Sequence, residues 1–306
     1  PLAVILVLCA VLVMVAIVMN AMLKDFQQRL EGKEISSAVG ISKAIKDSIS
    51  FLGLPSYFFG DREAKTVVIN LNPGEDAALC DNAGDERTKG FGSSIKGFVD
   101  NYLERQRTYG DKYGVTKSGK ADSFDVKLAA FLTPWEGSGI GLQSDPDWDS
   151  EPCRMEEKTK VINNKLQLEL VPYASAKFDL DPKGDIKLLF PYIETLLDEI
   201  CAKDRTYVIF ASSKFEYLFK QYNKITRTDT FTFGELYNPE PSLKQIHDGT
   251  EGKLRIKCRV IWIHYQGKKQ QALIAHTFPS QGLGRAYDLM QTYGKLCYEQ
   301  WCHHVK

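Results

Sequence analysis

Apolar and polar positions along the chain alternate between helix-like and strand-like spacing. Ile41, Ile45, Ile49 and Leu52 recur at helical intervals and predict an amphipathic helix over about Ser36–Leu52. Thr66–Leu71 (TVVINL) is a short β-branched run closed by Asn72-Pro73-Gly74, so it reads as a strand entering a sharp turn. Ile95, Phe98, Val99, Tyr102 and Leu103 mark a second helix. Val126–Leu132 (VKLAAFL) and Leu166–Tyr173 (LQLELVPY) read as strands, each running into a proline. Between them, Glu136–Glu157 is rich in Gly and Asp and predicts an irregular surface excursion.

Further on, Leu189, Ile193, Leu196, Leu197 and Ile200 face one side of a helix. Thr206–Ala211 (TYVIFA) predicts a buried strand, and Ser213 to about Tyr222 another helix. Arg259–Tyr265 and Gln271–His276 flank a short polar Gly-Lys-Lys turn, the pattern of a hairpin. Ala286, Leu289, Met290, Tyr293, Leu296 and Cys297 define a closing helix. Strands alternating with helices predict an α/β fold with a mostly parallel sheet covered on both faces. One such domain is expected over residues 35–306, after a linker at 24–34.

The first segment changes that picture. Leu2–Leu23 carries no charged residue, and only Asn20 is markedly polar. A helix of that length spans roughly 30 Å, the thickness of bilayer hydrocarbon. The segment is apolar on every side and lacks a small-x-small cleavage site, so residues 1–23 read as a transmembrane-like helix. Lys24, Arg29 and Lys33 follow it, which places the large domain on the cytoplasmic side of a membrane. Translation from Met19 or Met22 would instead leave a fully cytoplasmic protein.

Charge is balanced, 39 basic against 39 acidic residues, so no global field points to a polyanionic partner. Locally, Glu251–Lys306 is basic and Asp145–Lys158 acidic; such runs are commonly solvated faces. The seven cysteines are scattered without a C-x-x-C pair, as in a reducing compartment. Cys297, Cys302, His303 and His304 lie close in sequence, but a fraying chain end rarely fixes ligand geometry, and no metal or cofactor is expected. Gly137, Gly139 and Gly141 lead into acidic loop residues instead of a helix, so they make no dinucleotide fingerprint. P-loop, H-E-x-x-H and G-x-S-x-G patterns are absent from the sequence.

Chemistry in open α/β sheets gathers where strands end. Three strand ends pair a rigid proline turn with a polar side chain: N-L-N-P-G at Asn70–Gly74, E-L-V-P at Glu169–Pro172 followed by Tyr173, and H-T-F-P-S at His276–Ser280. In this order they resemble the uracil-DNA glycosylase superfamily, particularly its mismatch-specific and single-strand-selective monofunctional branches. Those proteins carry G-x-N-P-G after the first strand, N-x-x-P on a middle strand and H-P-S in a late loop. The sequence departs from that pattern at Asn70, at Glu169, and in the two residues that split His276 from Pro279-Ser280.

The resemblance implies a three-layer α/β/α fold with a four-stranded parallel sheet at its centre, and hydrolysis of the N-glycosidic bond of a flipped DNA base. Asn72 and His276 then take the catalytic places, Asn72 orienting water and His276 lying near the base carbonyl or a flanking phosphate. Asn70, Pro73, Gly74, Pro172 and Tyr173 would line the base pocket. Ser280, the backbone after Pro279 and Arg285 would grip phosphate. Phe91 is a candidate stacking face, although core packing is the commoner use of a Phe. Glu169 replaces an amide that offers a donor and an acceptor, so a base other than simple uracil is expected. Two other readings fit the same residues: a nucleotide- or nucleic-acid-binding module of this fold that does not cut, and an unrelated membrane-tethered α/β domain.

Overall fold

The structure is a computed structural model describing residues 41, 44, 58–71, 123–172, 178–181, 183–238, 243–247, 250–254, 256–276 and 287–304. The expected apolar helix 2–23 and helix 95–103 lie outside the described residues, as does the helix 36–52 apart from Ile41 and Ala44. Among the described residues, no helix is long and apolar enough to cross a membrane. The chain divides into two compact units interleaved in sequence: residues 1–58, 71–106 and 168–203 form the first, and residues 59–70, 107–167 and 204–306 the second.

The strands are β1 (Phe58–Gly60), β2 (Thr66–Asn70), β3 (Lys165–Glu169), β4 (Tyr207–Phe210), β5 (Phe231–Tyr237), β6 (Leu243–His247), β7 (Thr250–Leu254), β8 (Cys258–Tyr265) and β9 (Lys268–Ala275). The longer helices are α1 (Ser123–Leu132), α2 (Glu151–Asn164), α3 (Phe190–Cys201), α4 (Lys214–Thr226) and α5 (Tyr287–His304). Seven strands form one sheet in the order β1-β3-β2-β4-β9-β8-β5, and β6 pairs with β7 separately. The class is α/β, as the alternating pattern predicts. Strand β4 is parallel to both β2 and β9, whereas β8 is antiparallel to β9 and β5 is antiparallel to β8.

In the first unit, Val171 N–H donates to Leu71 O at 2.9 Å, just past the ends of β3 and β2. Asp185 accepts from Lys187 N and starts a 3-10 turn at Ile186–Leu189. Helix α3 follows with Pro191 in its first turn, where a missing N–H is tolerated. Its buried residues Ile193, Leu196, Leu197 and Ile200 are those that the helical spacing selects.

In the second unit, successive strand residues feed opposite layers. Val68, Ile209, Val260, Leu273 and Ala275 join one core cluster with α1 and α5. Paired residues of the alternate set point the other way, and there Phe210 meets Phe215 and Phe219 of α4, each at 4.9 Å between ring centres. Helix α4 buries a stripe at Phe215, Leu218, Phe219 and Tyr222, the i, i+3, i+4, i+7 set of a helix lying on a sheet.

Several elements differ from the sequence reading. Val126–Leu132 is helix α1, not a strand. Every residue of that run is buried, Lys127 included, so no polar face imposes a helical period, and a buried helix is then indistinguishable from a buried strand. The excursion from Glu136 stays irregular only to Ser150. Ser150 caps α2 by accepting from Cys153 N, and Pro152 sits in its first turn. The β8–β9 hairpin is present, but its turn is Gln266-Gly267, both at positive φ (48° and 75°), the two-residue geometry that suits strand twist. Lys268 and Lys269 already belong to β9.

Candidate functional site

The parallel strands bring their carboxyl ends to one edge. Ile69 pairs with Phe210, and Phe210 with Ile274, so the residues leaving β2, β4 and β9 emerge side by side. Ala211 N–H donates to Ile69 O at 2.8 Å and extends that ladder past the end of β4. Asn70 closes β2 and His276 follows β9, which separates their backbones by two strand spacings, about 10 Å. They share an edge but not a face. Alternation sets Asn70 on the side of Val68, towards α1 and α5, and His276 on the side of Ile274, towards α4.

His276 is held at both ends. Its N–H donates to Lys257 O at 3.0 Å, continuing the pairing of β9 with β8 by one residue. Its Nε2 lies 2.9 Å from Glu216 Oε2 in the first turn of α4, although the ring N–H does not point squarely at that oxygen. The same Oε2 accepts from Arg259 Nε at 3.1 Å, while Glu216 Oε1 accepts from Lys220, one turn further along α4. Arg259 also donates through a guanidinium NH to Gly234 O at 2.7 Å. That carbonyl sits where the β5–β8 register shifts between Phe233 and Leu236, so a bulge turns the edge strand's backbone towards the arginine. Imidazole and carboxylate are both mostly shielded, at 13% exposure each.

Burial pushes the His276 imidazole below its ordinary value, against the pull of Glu216, and Arg259 and Lys257 push the same way as burial. For Glu216, burial is the largest influence and works upward, but Lys220, Arg259 and His276 together outweigh it and hold the carboxyl below its usual range. At neutral pH the cluster therefore contains a neutral imidazole, one carboxylate and two cations, an excess of positive charge at the edge of the sheet.

Both shifts act on stability with the same sign. Below about pH 6.5 the unfolded chain protonates histidine while folded His276 stays neutral, so stability falls as pH drops through that window. Glu216 adds a second loss where unfolded carboxylates protonate, near pH 4, because its folded value lies lower. Thermal unfolding of His276→Gln should lack the upper part of the wild-type decline between pH 7 and 5. Glu216→Gln should lack the lower part. Parallel curves for wild type and both variants would contradict this electrostatic picture.

Of the other residues singled out by sequence, Glu169 is the last residue of β3 and is buried, with Pro172 buried behind it; both belong to the first unit. Asn72, Pro73, Gly74, Phe91, Tyr173, Pro279, Ser280 and Arg285 lie outside the described residues. Along α5, Cys297 is buried and Cys302 exposed, and among the described residues no group of three or more His, Cys, Asp or Glu is placed to hold a metal. Sequence reasoning missed Glu216 and Arg259. An acidic residue in a helix's first turn and a basic one near the start of a strand carry no signal until the strand register brings them together. Comparison of the chain with protein-family models, with curated proteins and with solved structures finds no match.

Proposed function

We propose that this chain is a DNA-base N-glycosylase-like hydrolase, acting on a base flipped from the stack at the carboxyl edge of β2, β4 and β9. The observation that carries this reading is the His276 imidazole at that edge, held beside the Glu216–Arg259 pair, while Asn70 ends β2 on the same edge with its side chain on the opposite face. Breaking an N-glycosidic bond makes the sugar cation-like and loads negative charge onto the departing base. A site for it needs a group that handles water and a positive environment for anions. The neutral imidazole of His276 and the surplus charge of Arg259 and Lys220 suit those needs. By the resemblance, Asn72 orients the water, while Ser280 and Arg285 take phosphate; the partner is then DNA or a nucleotide. The parallel strands β2, β4 and β9 support a parallel centre of the kind that the resemblance implies. Tethering by residues 2–23 would keep the domain at the cytoplasmic face of a membrane.

The test is base release. The chain is incubated with oligonucleotides carrying uracil, hypoxanthine, xanthine or alkylated bases, and alkali-labile abasic sites are counted. Activity on at least one substrate is expected, falling roughly 10²–10⁴-fold in His276→Ala and in Asn72→Ala. Glu169→Asn should shift base preference. Absence of cleavage with every base defeats the hydrolase reading. A second reading, a binding module of the same fold that does not cut, gains from one observation: three basic groups already engage the Glu216 carboxylate, which suits a fixed scaffold for an anion. Tight binding of an unbroken modified oligonucleotide would decide for it.

A further inference from the structure

We infer that Glu216 is the positioning residue of His276, and that it makes the imidazole a proton acceptor at the carboxyl edge. The assignment rests on the hydrolase reading above for its chemistry, but not for its geometry. A neutral imidazole has one N–H and one lone pair, and its neighbours decide which nitrogen carries which. Glu216 Oε2 lies 2.9 Å from Nε2, off the line of a ring N–H, and among the described residues no acceptor is aligned with that nitrogen. The other groups facing the ring are cationic: Arg259 on β8, and Lys257 just before it. Neither can accept a proton. With the Glu216 carboxylate the nearest acceptor, the proton of neutral His276 is assigned to Nε2, which leaves the lone pair on Nδ1.

Glu216 is itself built to hold this post. Arg259 fixes Oε2 from the sheet and Lys220 fixes Oε1 from the helix, so the carboxylate has little freedom to swing away. Arg259 is anchored in turn on Gly234 O. In the hydrolytic step, a water O–H bond breaks and its proton passes to Nδ1. The water oxygen bonds to the sugar's anomeric carbon as the C–N bond breaks, and the bonding pair leaves with the base. The resulting imidazolium is balanced by Glu216 and later returns its proton to the base anion or to solvent. His276 thus serves the water side of the reaction, with Glu216 acting through it.

The experiment follows the imidazole directly. In the full chain with nitrogen-15-labelled histidine, assigned with His276→Gln, long-range nitrogen–proton spectra above the titration point should show Nε2 protonated and Nδ1 bare. In Glu216→Gln the tautomers should mix, and His276 should titrate at still lower pH because the one group raising it is gone. Glu216→Asp should retain the wild-type tautomer in part. A wild-type His276 protonated on Nδ1 overturns the assignment without reference to any variant, as does a Glu216→Gln spectrum and titration matching wild type. On an oligonucleotide that is cut, Glu216→Gln should lower turnover by about 10²-fold and move the acid limb of the rate profile to lower pH. If the tautomer responds as expected while no oligonucleotide is cut, the positioning role stands and the hydrolase reading alone falls.

Discussion

Replacing Gly294 with alanine is expected to destabilise the second unit by about 2–3 kcal/mol or more, despite the usual benefit of alanine in a helix. Gly294 lies inside α5 where that helix crosses α1. A Cβ built there would stand 1.8 Å from Phe131 O, 2.7 Å from its carbonyl carbon and 2.9 Å from its Cα. All three atoms are backbone, so no rotamer change relieves the clash and the helices must separate. Alanine normally gains about 1 kcal/mol over glycine in a helix interior, and overpacking costs typically 1–3 kcal/mol when side chains can adjust. Here the obstacle is a neighbouring helix's main chain, so the steric cost exceeds the propensity gain. Separation would also disturb Phe131 against Tyr293, now 5.4 Å apart edge to face, and Trp135 against Trp301 at 5.8 Å. Denaturant unfolding should show a lower midpoint with an unchanged slope. Lys295→Ala, on the exposed side of the same turn, is the control and should shift stability by less than about 0.5 kcal/mol. A Gly294→Ala protein as stable as that control would mean that α1 and α5 do not meet as described.

Elements whose pattern arises from a single interface were legible in the sequence. Strands β2 and β4 are unbroken apolar runs bounded by turn residues, and α3 and α4 each show one apolar stripe because each covers one surface. Helix α1 was misread because it is enclosed on all sides, with α2 and α5 both packed against it. Strand β5 went unread for the opposite reason. It sits at the edge of the sheet, half-exposed, and its bulge at Gly234 and Glu235 breaks the two-residue alternation.

The candidate site divides in the same way. His276 was found because it ends a strand, which is local information. Glu216 and Arg259 are about 60 and 20 residues earlier in the chain, and only the pairing of β8 with β9 and the docking of α4 bring them to it. Asn70 shows the limit of the strand-end argument. Two strand ends can share an edge while alternation sends their side chains to opposite layers, and that parity depends on the register between strands.

The position of Glu216 depends on how firmly α4 is seated, and Phe219→Ala should expose that dependence with a loss of about 3–5 kcal/mol. Phe219 is 1% exposed and lies almost flat on Phe231, with ring centres 3.9 Å apart and planes 7° from parallel. Phe210 meets it edge-on at 4.9 Å, and Phe215 packs beside it at 5.7 Å. The ring therefore joins α4 to β4, in the middle of the sheet, and to the first residue of edge strand β5. Truncation removes the transfer energy of a whole aromatic side chain and leaves a cavity that two separate strands cannot easily close. Phe219→Leu keeps most of the apolar volume and should lose clearly less. Glu216 is three residues earlier on the same helix, so loosening α4 should also weaken the hold on His276 and reduce base release beyond what lower stability accounts for. The measurement pairs denaturant unfolding with base release well below the unfolding midpoint. A Phe219→Ala protein that loses stability yet keeps wild-type turnover would uncouple the seating of α4 from the imidazole. One that loses less than about 1 kcal/mol would contradict the packing itself.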